Sequence, residues 1–570
     1  MNYPTPAIVA QGAVNRLPLA ALLLLCIAYV LPGLVGRGPW KNADLTAFGY
    51  MAELASGASS WFAPQLMGRA PDVDALLPYW VGAWAMQAAP TWMTPDFAAR
   101  VPFGLLLVLA LIATWYGTYY LARHPEAQPV AFAFGGEAQP ADYARAIADG
   151  GLLAFMACLG LAQLSHETTP ALAQLGFTAL LFYSVAALPY RLLTPSIGVA
   201  AGLAGLALSG APTMATLFGA GSAVIHWADR SGGPDARRHQ AWWAGAIALL
   251  AVLVALLAMG LDLWRWRIEL PGVSWQKWRS LGRLLLWFTW PAWPLALWTL
   301  WRWRHQLVRK AAPSRHLALP LWFAGVAVAA TLSTGSADRS LLLALPALAA
   351  LAAFALPTLG RSFAALIDWF TLIFFSGCAV IIWVVWVSMQ TGIPRQPAAN
   401  VAKLAPGFEH SFSFLPFAIA IVATLAWAWL VKWRVGRHRT AIWKSLVLPA
   451  GGAALSWLLL MTLWLPLLDF ARSYAPLVRR TLIVMQQAPS CVETYGLSRS
   501  QIAAFKFHGN LALRPMGPQA ACPWLIVDRN AISPLSPVDQ TQWTQPSLMR
   551  HPADRNENLL IYRRQVPPKS

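Results

Sequence analysis

Charge is scarce in this chain. Asp, Glu, Lys and Arg make up only 11% of its 570 residues, against 58% hydrophobic residues. A water-soluble protein carries about a quarter charged residues, so a soluble globular class is excluded. Phosphate- and metal-holding motifs are missing too. There is no G-x-x-x-x-G-K-[ST] loop, no G-x-G-x-x-G, no H-E-x-x-H, and no haem or iron–sulfur spacing. These absences remove nucleotide hydrolysis, nicotinamide chemistry and ordinary metalloproteolysis. No heptad pattern, fixed-period repeat or low-complexity tract occurs. Cysteine is limited to five residues, and Cys26, Cys158 and Cys378 lie in apolar runs where they read as packing residues.

What the chain has instead is apolar runs of membrane-spanning length, about 17–25 residues. They fall near 17–36, 98–121, 150–165, 171–189, 194–210, 212–228, 242–260, 283–301, 317–334, 341–357, 368–388, 412–431 and 446–466. The fold class expected is therefore an all-α polytopic membrane protein of about thirteen transmembrane helices. Leu17–Gly36 lacks a small-residue cleavage site and reads as a retained first span. The stretch 77–95 is short and holds Pro78 and Pro90, so it reads as a surface-lying helix.

The 42 basic residues outnumber the 23 acids. Their clusters are short caps between spans, which argues for topology and against a nucleic-acid partner. Arg230, Arg237 and Arg238, then Arg302 to Arg315, then Lys432 to Arg439, all fall on one side of the expected bundle. The positive-inside rule makes that side cytoplasmic. The N-terminus is then cytoplasmic, and the loop 37–97 and everything after 467 are outside. A bacterial inner-membrane location follows as an expectation.

The tail, 468–570, is polar and turn-rich. Val492–Leu497, Leu511–Pro515, Trp524–Asp528 and Leu559–Arg563 read as strands, and Ser498–Phe507 as a helix capped by Ser498. This predicts a small C-terminal periplasmic α/β domain beside a transmembrane domain, 1–467. In an oxidising compartment Cys491 and Cys522 would form a disulfide.

The motifs cluster around the expected outer face. Asp44, in Trp40-Lys41-Asn42-Ala43-Asp44, follows the first span, and 45–57 reads as a short amphipathic helix. Trp61-Phe62-Ala63-Pro64-Gln65-Leu66-Met67-Gly68 and Leu77-Pro78-Tyr79-Trp80 come next. This ordered set resembles the start of lipid-linked-sugar glycosyltransferases of the GT-C fold, nearest the aminoarabinose transferase and protein O-mannosyltransferase branch. The family motif D-E-x-R-Y stands here as Asp44-Leu45-Thr46-Ala47-Phe48, with the second acid and the Arg absent.

The resemblance implies a sugar taken from a polyprenyl-phosphate donor, transfer with inversion, and a GT-C bundle. It implies Asp44 as the catalytic carboxylate, a general base toward a hydroxyl acceptor and an orienting group toward a phosphate. Glu167, in His166-Glu167-Thr168-Thr169-Pro170, would stand for the second acid of the class, and His166 beside it is a candidate to touch substrate or metal. Ala98-Ala99-Arg100-Val101-Pro102 is similar to the family's A-x-R-L-P and makes Arg100 a substrate-binding candidate. Ala337-Asp338-Arg339-Ser340 opens a segment similar to x-x-R-Y-L-L-P and makes Arg339 the candidate phosphate partner. Asp74, in place of an acidic-basic pair, would sit beside the site. Arg265 and Arg267, in a basic Trp-rich outer loop, would either anchor in headgroups or touch a lipid phosphate.

The partners implied are the lipid-linked donor, membrane lipids, and an acceptor that is lipid A, another envelope glycan or a protein. No cofactor is required, and a divalent metal is neither demanded nor excluded. A transporter of lipid-linked sugar, or a non-catalytic envelope assembly protein, are the competing readings. An enzyme requires Asp44, Arg100, Glu167 and Arg339 to converge on one cavity. A transporter requires polar groups at mid-membrane and repeated halves.

Overall fold

The structure is a computed structural model that describes residues 5–229, 234–264, 274–308, 314–335, 337–435, 441–485, 489–517, 522–531, 542–544 and 546–565. Helices dominate it, and a five-stranded sheet closes the C-terminal end. Among the described residues, seven helices are long and apolar enough to cross a membrane: Pro95–Ala122, Pro170–Ala187, Arg237–Gly260, Arg315–Leu332, Arg361–Thr391, Phe414–Arg434 and Ile442–Leu463.

Each remaining apolar run also forms helix, but in shorter pieces. Leu19–Val30 stops at 12 residues, about 18 Å at 1.5 Å per residue. The run at 283–301 is broken between Trp275–Phe288 and Ala292–Arg302, around Pro291. The run at 341–357 is split into Ala337–Leu342 and Leu345–Ala355. The helix expected at 150–165 lies earlier, at Pro140–Ala157, and is followed by one turn at Leu161–Leu164. Continuous hydropathy does not register these breaks, because a turn packed among other helices can be as apolar as the helix it interrupts.

Close approach in the bundle depends on small residues, as lipid offers no hydrophobic drive between helices. Gly202, in the helix Leu193–Leu208, faces the helix Pro170–Ala187. A Cβ there would come within 3.1 Å of the Leu181 backbone. Among the described residues the three least buried long helices are Arg237–Gly260, Arg361–Thr391 and Phe414–Arg434. They carry exposed Leu366, Trp369, Ile373, Val422 and Leu425, the surface a membrane would solvate.

The first loop carries two helices, Ala43–Ala55 and Leu77–Ala88. The first is largely enclosed, with Asp44, Leu45, Phe48, Tyr50, Met51 and Leu54 among its buried residues. Its cover is the tail. There the strands β1 (Val492–Tyr495), β2 (Leu513–Pro515), β3 (Trp524–Asp528), β4 (Ser547–His551) and β5 (Asp554–Arg563) form a sheet in the order β2-β1-β3-β5-β4. β1 runs parallel to β2 and β3, and β5 is antiparallel to β3 and β4. β4 has no counterpart in the sequence reading. A disulfide joins Cys491 and Cys522 at the starts of β1 and β3.

The helix Arg499–Gly509 begins with a capping box between Ser498 and Gln501. It lies on Ala43–Ala55 so closely that a Cβ on Gly49 would meet the Ala503 Cβ at 2.7 Å. Phe48 meets Phe507 edge-on at 4.6 Å between ring centres. Lys506 pairs with Glu53, and Lys41 with Asp554, each at 2.5 Å. The tail thus braces the helix that carries Asp44.

Candidate active site

Asp44 lies in the first turn of its helix, where the N-terminal end of the helix dipole favours a negative charge. Its carboxylate is enclosed and fully committed. Oδ2 accepts from Arg37 Nη1 at 2.7 Å and from the Trp40 backbone N–H at 3.1 Å. Oδ1 accepts from the Thr168 backbone N–H at 2.7 Å and from the Thr168 hydroxyl at 2.6 Å. Burial works against the charged form, but the Arg37 guanidinium and the two Thr168 bonds outweigh it. They hold the Asp44 carboxyl below the usual carboxylate range.

Arg37 is the residue that sequence reasoning missed. It looks like the ordinary flank of a first span, yet it is buried and each of its three side-chain nitrogens donates a hydrogen bond. Nε donates to the Gly33 carbonyl at 2.8 Å, Nη1 reaches Asp44, and Nη2 donates to the His166 carbonyl. A left-handed turn at Gly33 and Gly36, φ +86° and +84°, folds the chain back so that the guanidinium can do this. The Gly-x-x-Gly-Arg-Gly run at 33–38 was the signal available.

Arg37 and Asp44 therefore grip the peptide on either side of Glu167, through His166 and Thr168. Glu167 itself is differently placed. Its Oε2 accepts from Arg339 Nη2 at 3.0 Å and its Oε1 from Gln163 Nε2 at 3.1 Å. Burial, followed by the neighbouring Asp44 charge, raises the Glu167 pKa above the ordinary glutamate value, with Arg339 pulling the other way. Two carboxylates in one place are thus pushed apart, one kept ionised and one made basic.

Arg339 is a quarter exposed, whereas the Glu167 side chain is 8% exposed. Arg339 lines a cavity of about 840 Å³. The first loop contributes Thr46, Arg69, Asp74 and Tyr79 to its wall, and the bundle contributes Gln174 and Met214. The tail contributes Ser498, Arg499 and Ser500. Arg499 forms an ion pair with Asp72 at 2.6 Å. The wall mixes apolar surface with arginines, as a site for a lipid-linked anion requires.

The other candidates separate. Arg100 is buried behind the site, bonded to Asp96 and to the Leu34 carbonyl, and its charge adds to the field on Asp44. It is absent from the cavity wall, as are Asp44 and Glu167. His166 has Nε2 on the Tyr29 carbonyl at 3.0 Å and Nδ1 on the Ala162 carbonyl. Burial lowers its pKa to about 4. Both ring nitrogens face main-chain oxygens, which leaves neither for a metal or substrate. No group of three or more His, Cys, Asp or Glu side chains suited to a metal occurs among the described residues. Arg265 and Arg267 lie outside the described residues. Arg472, also missed, lies over the Trp40 ring at 5.2 Å and within the field of Glu167.

No family model and no curated protein matches the chain. Solved structures do. ArnT from Cupriavidus metallidurans in the apo state superposes with a TM-score of 0.58 at 13% identity, over 95% of this chain and 96% of that one. The same protein bound to undecaprenyl phosphate gives 0.59 at 12% identity, over 96% and 97%. At these identities the likeness is one of fold, and the chain has the ArnT-like GT-C architecture: a polytopic helical membrane domain with a small C-terminal sheet domain.

Proposed function

We propose that this protein is a membrane glycosyltransferase that moves a sugar from a polyprenyl-phosphate donor to an envelope acceptor. The site would lie at the outer face of a bacterial inner membrane. The observation that carries the reading is the chain of contacts Arg37–Asp44–Thr168, then Glu167–Arg339, which ends on the cavity wall. The ArnT fold and the undecaprenyl phosphate bound by that protein support the class of donor.

In this reading Glu167 is the catalytic carboxylate. The acceptor oxygen attacks the anomeric carbon as the bond from that carbon to the phosphate oxygen breaks. The bonding pair leaves on the polyprenyl phosphate, and the acceptor proton passes to Glu167. Attack opposite the leaving group inverts the anomeric centre. Arg339 meets the charge that develops on the phosphate.

Asp44, the first choice from sequence, becomes a positioning residue. A carboxylate with four donors and a depressed pKa is a poor proton acceptor. Of the four groups expected to converge, Arg339 lines the cavity, and Glu167 and Asp44 are linked to it through Arg339 and Thr168; this grouping, instead of separate mid-membrane positions, favours an enzyme over a transporter. The acceptor remains one of three classes, lipid A, another glycan or a protein. Mass analysis of envelope glycolipids and glycoproteins from cells with and without the protein tests the reading. A sugar-bearing species that disappears with the gene product supports it, and identical profiles count against it.

A further inference from the structure

We infer that Glu167 and the donor's phosphate compete for Arg339, so that loading the donor releases the Glu167 carboxylate toward the acceptor. This rests on the reading of the cavity as a polyprenyl-phosphate sugar site.

The geometry singles out Arg339. Arg37 is fixed by the carbonyls of Gly33, Gly38 and His166 and by Asp44. Arg100 is fixed by Asp96 and Leu34. On the cavity wall, Arg69 is held by the Leu497 carbonyl, and Arg499 by Asp72 and the Ala70 carbonyl. Arg339 is the partly exposed guanidinium on that wall whose hydrogen-bond partner, among the described residues, is Glu167. An anion that takes this guanidinium in the bidentate mode, through both Nη groups, draws Nη2 away from the carboxylate.

Glu167 is built to be left behind. Its backbone is pinned on both sides, because the His166 carbonyl accepts from Arg37 and Thr168 is bound twice to Asp44. Its Oε1 keeps the Gln163 bond. The charges that face it are Asp44, Arg37, Arg339 and Arg472. Arg37 is committed to Asp44, so loss of Arg339 to the phosphate removes the foremost of the groups that offset burial at Glu167. The carboxylate, still aimed, then has a higher affinity for the acceptor's proton. In the empty enzyme it is masked by its ion pair. Arg339 thus acts as a positioning residue toward Glu167 before it acts on the phosphate.

The experiment measures binding of undecaprenyl phosphate, the leaving product, to the full-length protein in nanodiscs. It compares wild type, Glu167→Gln, Arg339→Gln and the double variant across pH. Glu167→Gln keeps the shape of the side chain but no longer competes for the guanidinium. It should bind undecaprenyl phosphate about tenfold more tightly than wild type at neutral pH, the scale of one charge-assisted contact.

The gain should vanish when Arg339→Gln is added. The affinities of wild type and Glu167→Gln should also converge as pH falls through the range in which Glu167 titrates, because a protonated Glu167 no longer holds Arg339. Titration of the lipid phosphate is common to both proteins and cancels in the ratio. Equal affinity of the two at every pH, with both binding the lipid, overturns the competition while leaving the donor assignment standing. Absence of binding by folded wild-type protein overturns the donor assignment, and the competition with it. If Glu167→Gln folds poorly, Glu167→Ala, which also cannot hold Arg339, takes its place in the ratio.

Discussion

Thr168 gives both its backbone N–H and its hydroxyl to a single oxygen of Asp44, at 2.7 and 2.6 Å. The other oxygen of that carboxylate holds Arg37, which also grips the carbonyl of His166. The buried pair thereby fixes the two residues that flank Glu167.

Asp44→Asn should test this clamp. The substitution removes one charge of a buried pair and strands the Arg37 guanidinium, a change that costs about 3–5 kcal/mol. A lower thermal unfolding midpoint is expected, together with reduced transfer. The double variant Arg37→Met, Asp44→Leu should recover part of the stability without the activity. An Asp44→Asn protein as stable as wild type would contradict the clamp.

Arg339→Gln should move the pH profile of transfer. The Glu167 pKa is already raised by burial and by Asp44, while Arg339 lowers it. Removal of that cation raises it further. Since the base must be deprotonated, the acid limb of the rate should shift to higher pH in the variant. The check is the profile of kcat/KM for the donor against pH, which reports the empty enzyme, and an unmoved limb would detach Glu167 from the proton transfer.

How far the site could be read from sequence depended on what each residue imitates. Asp44 and Glu167 stand out because acids are rare in this chain, and Arg339 because Ala337-Asp338-Arg339-Ser340 resembles the arginine segment of the family. Arg37 imitates a span flank, and only the backward turn at Gly33 and Gly36 reveals it. The surroundings of Asp44 were only half legible: Arg37 and Trp40 are near it in sequence, but Thr168, which gives it two bonds, lies 124 residues away and becomes a neighbour only on folding. Helix positions followed from apolar runs, but their breaks near Pro291 and between Leu342 and Leu345 did not. In the tail, β1, β2, β3 and β5 followed from β-branched and aromatic clusters, whereas β4, Ser547–His551, has no such alternation.

Gly49→Val should separate the tail from the site helix. The added side chain begins 2.7 Å from the Ala503 Cβ, and overpacking of this kind costs about 1–3 kcal/mol. Faster proteolytic release of the tail and a lower transfer rate are expected. Unchanged protease sensitivity and unchanged rate would show that the tail does not brace Ala43–Ala55.

Removal of the Cys491–Cys522 bridge should loosen the tail and spare the bundle. The bond closes a segment of sequence separation 31, for which loss of the cross-link costs about 2–4 kcal/mol. The paired Cys491→Ala, Cys522→Ala variant should lose tail structure at lower denaturant concentration while the membrane helices persist. Coincident unfolding at the wild-type midpoint would contradict this.

The most direct measurement of the central claim is the release of polyprenyl phosphate from membrane-extracted polyprenyl-phosphate sugars, with an envelope lipid and protein extract supplying the acceptor. Wild type and Glu167→Gln are compared at equal protein. With Glu167 as the base that takes the acceptor's proton, the variant should bind the lipid yet turn over about 100- to 10,000-fold more slowly. Near-normal release by a folded Glu167→Gln protein would contradict the account and return the catalytic role to another group.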